Sequence, residues 1–268
     1  MKLEALRYRH RSGFTLGPLT VEGPRNRPWL LLGPTGSGKS TLLRLLGGRL
    51  RADGGRVAGG PPADRRAYLP QLPERALAGR HLAEDLTGHP RPTAVQRRRA
   101  REALREVGLG GVSLARHRSA LSAGQRRRVT LALVFGADWD AFGLDEPDAG
   151  LDRTGVRGLL TLLERQLEGR QRLCWIATHR HALYRGIDPF VIVLDRGRLV
   201  GYGDSRDVLS RKKVAEVLRL DEEPAFRFWR RLGEHVPGLP TNVYEKSRTR
   251  DPRIAQVQEI LMDRAAVP

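Results

Sequence analysis

Nine consecutive residues, Gly33-Pro34-Thr35-Gly36-Ser37-Gly38-Lys39-Ser40-Thr41, constrain this chain more than any other feature in it. They fit the spacing GxxxxGK[ST]. They follow the continuous apolar run Trp29-Leu30-Leu31-Leu32 and precede a helical period at Leu42, Leu43, Leu45, Leu46 and Leu50. Strand, glycine loop and helix in that order are the context in which this pattern cradles phosphate. Glycines let backbone N–H groups curl around phosphate oxygens, and the helix start adds donors and a favourable dipole. Lys39 is placed to neutralise the β and γ oxygens, and the Ser40 hydroxyl to ligate Mg2+.

A site that hydrolyses a nucleotide also needs a carboxylate on the metal and a group that orients the attacking water. Phe142-Gly143-Leu144-Asp145-Glu146-Pro147 supplies both at the end of an apolar run. Asp145 is the expected Mg2+ carboxylate, direct or through water. Glu146 is the expected group that polarises the lytic water or takes its proton.

The surrounding pattern is that of an α/β protein. Residues 3–8, 14–21 and 29–32 read as strands separated by Gly13, Gly17-Pro18 and Gly23-Pro24, and 40–50 reads as a helix weakened at its end by Gly47-Gly48. Over about 72–136 the pattern is helical and rich in Arg. Thr93 with Gln96 forms a capping box, Ala100, Ala103, Leu104 and Val107 form one face, and Gly108 ends the helix. Arg97, Arg98, Arg99 and Arg101 fall mostly on the opposite, solvated face. Strands resume at 141–144, 173–178 and 190–194, with a helical run over 155–168, which implies a parallel sheet. Helical pattern returns at 208–220 and again at 254–265.

Composition bounds the partners. The chain of 268 residues has 48 Lys and Arg against 30 Asp and Glu, a formal charge of +18, yet its only lysines are Lys2, Lys39, Lys212, Lys213 and Lys246. Arg, Ala, Gly and Pro share GC-rich codons, so the excess has a compositional explanation beside an electrostatic one, an anionic partner with membrane lipid ahead of nucleic acid. No apolar run approaches membrane-spanning length, and the residues after Met1 make no signal-peptide core, so a peripheral rather than embedded protein is expected. The lone cysteine, Cys174, sits in an apolar run and reads as a buried thiol in a reducing compartment.

Further motifs carry a resemblance. Leu121-Ser122-Ala123-Gly124-Gln125 resembles the LSGGQ signature of ABC ATPases, and Gln71, Ala149-Gly150-Leu151-Asp152 and His179 fall where that family has its Q-loop, D-loop and switch histidine. The resemblance covers about 1–210. It implies a P-loop NTPase core with an N-terminal antiparallel β-subdomain, an inserted helical subdomain over about 72–136, and a short C-terminal helical extension over 211–268. It also implies two such domains meeting head to tail, each presenting its signature to the ATP held by the other. Ser122 and the Gly124 N–H then donate to the γ-phosphate across the interface, Gln125 opens the helix over 126–135, and Asp152 belongs to the loop at the contact. Gln71 is implied to reach Mg2+ or the water, and His179 to reach the γ-phosphate. For the adenine-stacking ring, spacing favours His10 and chemistry favours Tyr8, and both stay open.

Two features depart from the pattern. Ala123 replaces the first signature glycine, adding a methyl where two chains approach, and Gly143 with Asp138 and Asp140 nearby points to a short strand before Asp145.

Pro70-Gln71-Leu72-Pro73-Glu74, His81-Leu82-Ala83-Glu84-Asp85-Leu86 and the tail Glu223-Pro224-Ala225-Phe226 look like the ATPases of energy-coupling factor transporters, which take up vitamins or metal ions such as cobalt and nickel. That implies a second ATPase subunit, identical or paralogous, a transmembrane coupling protein, a substrate-binding membrane protein, and a place on the cytoplasmic face of the membrane. A groove over 72–89, with Leu82 and Leu86, is expected to receive a helix of the coupling protein, and no direct nucleic-acid contact is expected. Two other readings share the catalytic residues: an exporter subunit for drugs, lipids or peptides, and a soluble ABC protein acting on nucleic acid or ribosomes.

Overall fold

A computed structural model describes residues 1–71, 81–87, 91–136, 139–151, 153–168 and 172–220. Two compact units divide the chain, Met1–Ser205 and Arg206–Pro268. In the first, β1 (Lys2–Arg9), β2 (Thr15–Glu22) and β4 (Gly54–Ala58) form a three-stranded antiparallel sheet, ordered β2-β1-β4. A second sheet of six strands runs β5-β6-β7-β3-β8-β9, comprising β5 (Arg66–Leu69), β6 (Ala141–Asp145), β7 (Leu173–Ala177), β3 (Trp29–Leu32), β8 (Phe190–Asp195) and β9 (Arg198–Asp204). Its strands pair in parallel except β9, which returns antiparallel along β8.

The order of strands places the chemistry. β6, β7 and β3 are central neighbours, buried along their whole length, and each ends at the same edge of the sheet in a loop bearing polar residues. Strands buried on both faces read as uninterrupted apolar runs. Ligands of open α/β sheets bind beyond the carboxyl ends of such strands. Leu42, Leu43, Leu45 and Leu46 of α1 (Lys39–Leu46) are buried in one core with Trp29, Leu31, Trp175 and Ile192.

Gly143 explains itself in this packing. A Cβ there would lie 3.1 Å from Leu43 Cδ1, so its absence lets α1 settle onto β6. β6 is not cut short by it: all five residues through Asp145 are buried strand. The helix expected over 40–50 ends earlier, at Leu46. Gly48 adopts φ +70°, its N–H donates to Leu45 O over 3.1 Å, and the Arg49 N–H donates to Arg44 O over 2.7 Å, a glycine-terminated C-cap.

In the insert, α2 (Leu82–Thr87), α3 (Ala94–Glu106) and α4 (Ala123–Phe135) pack together. The Thr93–Gln96 capping box forms, and Ala100, Ala103 and Leu104 are the buried face of α3. α5 (Arg153–Leu167) precedes β7. In the second unit the described chain comprises most of α6 (Ser205–Ser210) and α7 (Lys212–Leu218), and the remainder of the expected extension lies outside the described residues. No helix among the described residues is long and apolar enough to cross a membrane.

Candidate nucleotide site

The glycine loop joins β3 to α1 and is fitted closely at its base. Gly33 has φ +145°, and a Cβ there would stand 2.1 Å from Leu194 O, so only glycine is accommodated. The Gly197 N–H donates to Ser37 O over 3.0 Å, tying the loop to the β8–β9 turn. Pro34, Thr35 and Gly36 form the exposed tip, while Ser37 and Lys39 are buried and Ser40 and Thr41 half-buried. The first intrahelical bond runs from the Leu42 N–H to Gly38 O, so the amides of Lys39, Ser40 and Thr41 head the helix as anion-facing donors.

Lys39 Nζ donates to Gly33 O over 2.8 Å and to Pro34 O over 3.0 Å, which holds the ammonium inside its own loop. Burial lowers its pKa, and the nearby charges of Glu146 and Asp145 work in the opposite direction. The Ser40 hydroxyl donates to Asp145 Oδ1 over 3.1 Å, and the Tyr68 hydroxyl donates to Asp145 Oδ2 over 3.2 Å. Asp145 is 3 % exposed, and burial raises its pKa despite those two donors.

Beside Asp145 the chain turns sharply: Glu146 adopts φ +48°, its N–H donating to Ala177 O over 2.8 Å. That turn carries the Glu146 carboxylate into contact with two other loops. Gln71 Nε2 donates to Oε2 over 2.9 Å, and His179 Nε2 lies 3.0 Å from Oε1. Gln71 follows β5, Glu146 follows β6 and His179 follows β7, so neighbouring strands bring residues from three distant stretches of sequence onto one carboxylate.

Ser122, Gly124 and Gln125 stand elsewhere. Ser122 caps α4 in a reciprocal box, its Oγ accepting from the Gln125 N–H over 3.2 Å while Gln125 Oε1 accepts from the Ser122 N–H over 3.1 Å. Among the described residues no hydrogen bond links these three to Lys39, Asp145 or Glu146. Ser122 and Gly124 line a cavity of about 690 Å3 with Gly150 and Leu151. Ala123 is exposed at the first turn of α4. Asp152 lies outside the described residues. Tyr8, near the end of β1, is half-buried against the core, whereas His10 lies in the exposed turn beyond it, its Nδ1 2.8 Å from Ser12 Oγ.

Two residues missed in the sequence join the site. Tyr68 holds Asp145 and also accepts from Arg44 Nε over 3.3 Å. Arg127, on α4, donates to three carbonyls: to Pro147 O over 3.1 Å, to Gln71 O over 3.3 Å, and to Glu146 O. Tyr68 lies on β5, a strand of four residues that is too short to show a period, so nothing local marks it. Arg127 is one of three consecutive arginines, and no local signal separates it from Arg126 and Arg128.

The donor set fits a nucleotide with Mg2+. Ser37 Oγ is buried and has no hydrogen-bond partner among the described residues, and a hydroxyl and a carboxylate meet at Ser40 and Asp145. Among the described residues no cluster of three or more His, Cys, Asp or Glu forms a cage for a metal. Mg2+ commonly binds through one or two protein oxygens plus phosphates rather than such a cage.

The groove expected over 72–89 is described only at 81–87, and there one expectation is corrected. Leu82 is 0 % exposed, its N–H donating to Arg116 O over 3.2 Å, so it belongs to the core of the insert and not to a docking surface. Leu86 is half-buried and lines a cavity of about 530 Å3 with Gln96, Phe135 and Arg172.

The family profile described as ABC transporter matches residues 16–149. The energy-coupling factor transporter ATP-binding protein EcfA2 of Symbiobacterium thermophilum is 32 % identical over 265 residues, spanning 93 % of this chain and 90 % of that protein. The nickel import ATP-binding protein NikO of Rhodobacter capsulatus is 31 % identical, spanning 82 % of this chain and 94 % of that protein. Among solved structures, cbiO1 from Clostridium perfringens, part of the ABC transporter complex cbiONQ, superposes with a TM-score of 0.68 at 25 % identity over 96 % of this chain and 98 % of that one. This chain belongs to the ABC transporter ATP-binding family, as an ATP hydrolase similar to the ATP-binding proteins of energy-coupling factor transporters.

Proposed function

We propose that the chain energises an energy-coupling factor importer for a vitamin or a transition-metal ion, as one half of a head-to-tail ATPase dimer on the cytoplasmic face of the membrane. The observation that carries the hydrolytic reading is the convergence of Gln71 and His179 on the Glu146 carboxylate, beside a buried Ser40–Asp145 pair and the Lys39 loop. The similarity to EcfA2 and NikO over most of the chain supports the import reading.

In this mechanism the loop 33–41 binds the phosphates through its amides, and Lys39 exchanges its carbonyl partners for phosphate oxygens. Ser40 and Asp145 would hold Mg2+, with Gln71 reaching it or the water, and the bound ion would supply positive charge against the phosphates. Glu146 accepts a proton from the attacking water, which Gln71 helps to place, and His179 donates toward the γ-phosphate. Ser122 and the Gly124 N–H serve the ATP of the partner domain, Gln125 fixes their helix start, and Asp152 lies at the same contact. Tyr8 or His10 stacks on adenine. The domain boundary proposed is 1–210 for the ATPase, with 72–136 inserted, and 211–268 for the extension.

The partners proposed are a second ATPase subunit, a transmembrane coupling protein and a substrate-binding membrane protein. Capture of the tagged chain from membranes in mild detergent tests this. Recovery of two membrane proteins together with ATP-dependent solute uptake on reconstitution supports it; an active ATPase recovered with ribosomes or nucleic acid and no membrane protein contradicts it.

A further inference from the structure

Asp148 lies two residues past Glu146 and is 2 % exposed. A buried carboxylate is costly unless donors surround it, and three groups do so here. Thr178 Oγ1 donates to Asp148 Oδ1 over 3.0 Å, the Tyr184 hydroxyl donates to the same oxygen over 2.7 Å, and the Arg180 guanidinium lies 3.8 Å from Oδ2. Thr178 Oγ1 in turn accepts from the Arg180 N–H over 3.0 Å. Burial first, and then the charge of Asp148, push the Tyr184 hydroxyl well above its ordinary pKa, so it stays a donor at neutral pH.

These contacts lie on either side of one residue. Thr178 and Arg180 flank His179, whose side chain is 43 % exposed and whose Nε2 lies 3.0 Å from Glu146 Oε1. Asp148 itself sits in the turn that leaves Glu146: the Ala149 N–H donates to Glu146 O over 3.1 Å, and the Leu151 N–H donates to Asp148 O over 3.2 Å. One buried carboxylate therefore joins the turn after β6, which carries Glu146, to the turn after β7, which carries His179.

We infer that Asp148 is a positioning residue for hydrolysis: by gripping Thr178, Arg180 and Tyr184 it holds His179 at hydrogen-bonding distance from Glu146. This rests on the ATPase reading of the site. A shift of about 1 Å in a reacting group costs on the order of 100-fold in rate, so losing this grip falls on turnover rather than on ATP affinity, which the loop 33–41 supplies.

A role confined to folding would lower activity equally whether or not His179 is present; a positioning role acts through His179. The test is a double-mutant cycle on the full chain, with steady-state kcat and KM for ATP and single-turnover rates for the slow variants. Asp148→Asn keeps the side-chain volume but removes the charge. It is expected to lower kcat roughly 10- to 100-fold, with KM within about two-fold, and to cost less than about two-fold further in a His179→Ala background. Equal losses in both backgrounds, an unchanged kcat, or a loss confined to KM would overturn the inference. Should Asp148→Asn not fold, as judged by circular dichroism and gel filtration, Tyr184→Phe takes its place in the same cycle; coupling to His179 supports the inference and additivity overturns it. Turnover by the unmodified chain no faster than by Lys39→Ala would instead sink the ATPase reading, and this inference with it.

Discussion

Replacing Arg127 with Ala removes one guanidinium from three carbonyls, those of Gln71, Glu146 and Pro147. The stake is the backbone of Glu146, which holds φ +48° without being glycine. A non-glycine residue in that region costs about 1–3 kcal/mol and persists only where its surroundings hold it. Hydrogen bonds from a charged donor contribute about 1.5–3 kcal/mol each when well buried; these are half-buried or exposed, and water replaces part of what is lost. A net loss of about 2 kcal/mol in holding the turn corresponds to roughly a 30-fold smaller population of the competent arrangement, at 1.36 kcal/mol per decade. Arg127→Ala is therefore expected to lower kcat for phosphate release about 10- to 30-fold on that same scale, with ATP affinity nearly unchanged because the loop 33–41 is untouched. Arg127→Lys should recover only part of it, since one ammonium does not reproduce a planar fork. Turnover by Arg127→Ala within about two-fold of the unmodified chain, at equal folded fraction, would refute the reasoning.

Lys39→Ala should abolish hydrolysis and weaken ATP binding, whereas Glu146→Gln should keep ATP binding, lose about two to four decades in turnover, and accumulate a closed ATP-bound dimer visible by gel filtration; near-normal turnover in Glu146→Gln removes that residue from its role. Asp145→Asn should raise the melting temperature while ending Mg2+-dependent hydrolysis. The sign follows from linkage: the folded-state pKa of Asp145 is raised above 3.8, so the folded chain holds this proton to higher pH than the unfolded chain, and the stability from this group is present below 3.8 and lost as pH rises through the raised value. The gain in Asp145→Asn should thus be clear near neutral pH and vanish in acid, and a melting temperature lowered at neutral pH would contradict it. Leu82→Asp should unfold the insert, because it places a charge in a fully buried site, while Leu86→Asp should leave the isolated subunit folded and able to bind ATP yet fail to co-purify with the membrane partners.

Much of this site was legible because its residues announce themselves by spacing or by position. The loop 33–41 follows a strand of four apolar residues, Asp145 ends another with Glu146 just past it, and His179 follows a third. What the sequence did not show is of two kinds. Short strands with few apolar residues leave little periodicity: β4 is glycine-rich, and β5 is only four residues. β9 was not read either, although Gly197 after an apolar strand is a hairpin signal; in the structure Arg196 and Gly197 both take positive φ in a two-residue turn. The other kind is tertiary. Arg127, Tyr68 and Asp148 act on groups from 19 to 77 positions away, where no local pattern marks them. Leu82 misled for the same reason: on a short amphipathic segment either side can face the core, and only the packing of α2 against α3 and α4 decides which.

The claim on which the rest depends is that two chains share each hydrolytic site, the Lys39 loop from one and the Ser122 signature from the other. Purified Lys39→Ala and Ser122→Arg chains, each inactive alone, are mixed in equal amounts and assayed for ATP hydrolysis across protein concentration. If the chain pairs with itself, random mixing makes half the dimers mixed, each with one intact composite site of two, so about a quarter of the unmodified activity returns, rising with concentration as dimers form. If it pairs with a paralogue, placing each substitution on a different partner leaves one intact composite site of two in every dimer, so about half the unmodified activity is expected. No restoration in either format, or wild-type activity from Ser122→Arg alone at a rate independent of concentration, contradicts the shared site.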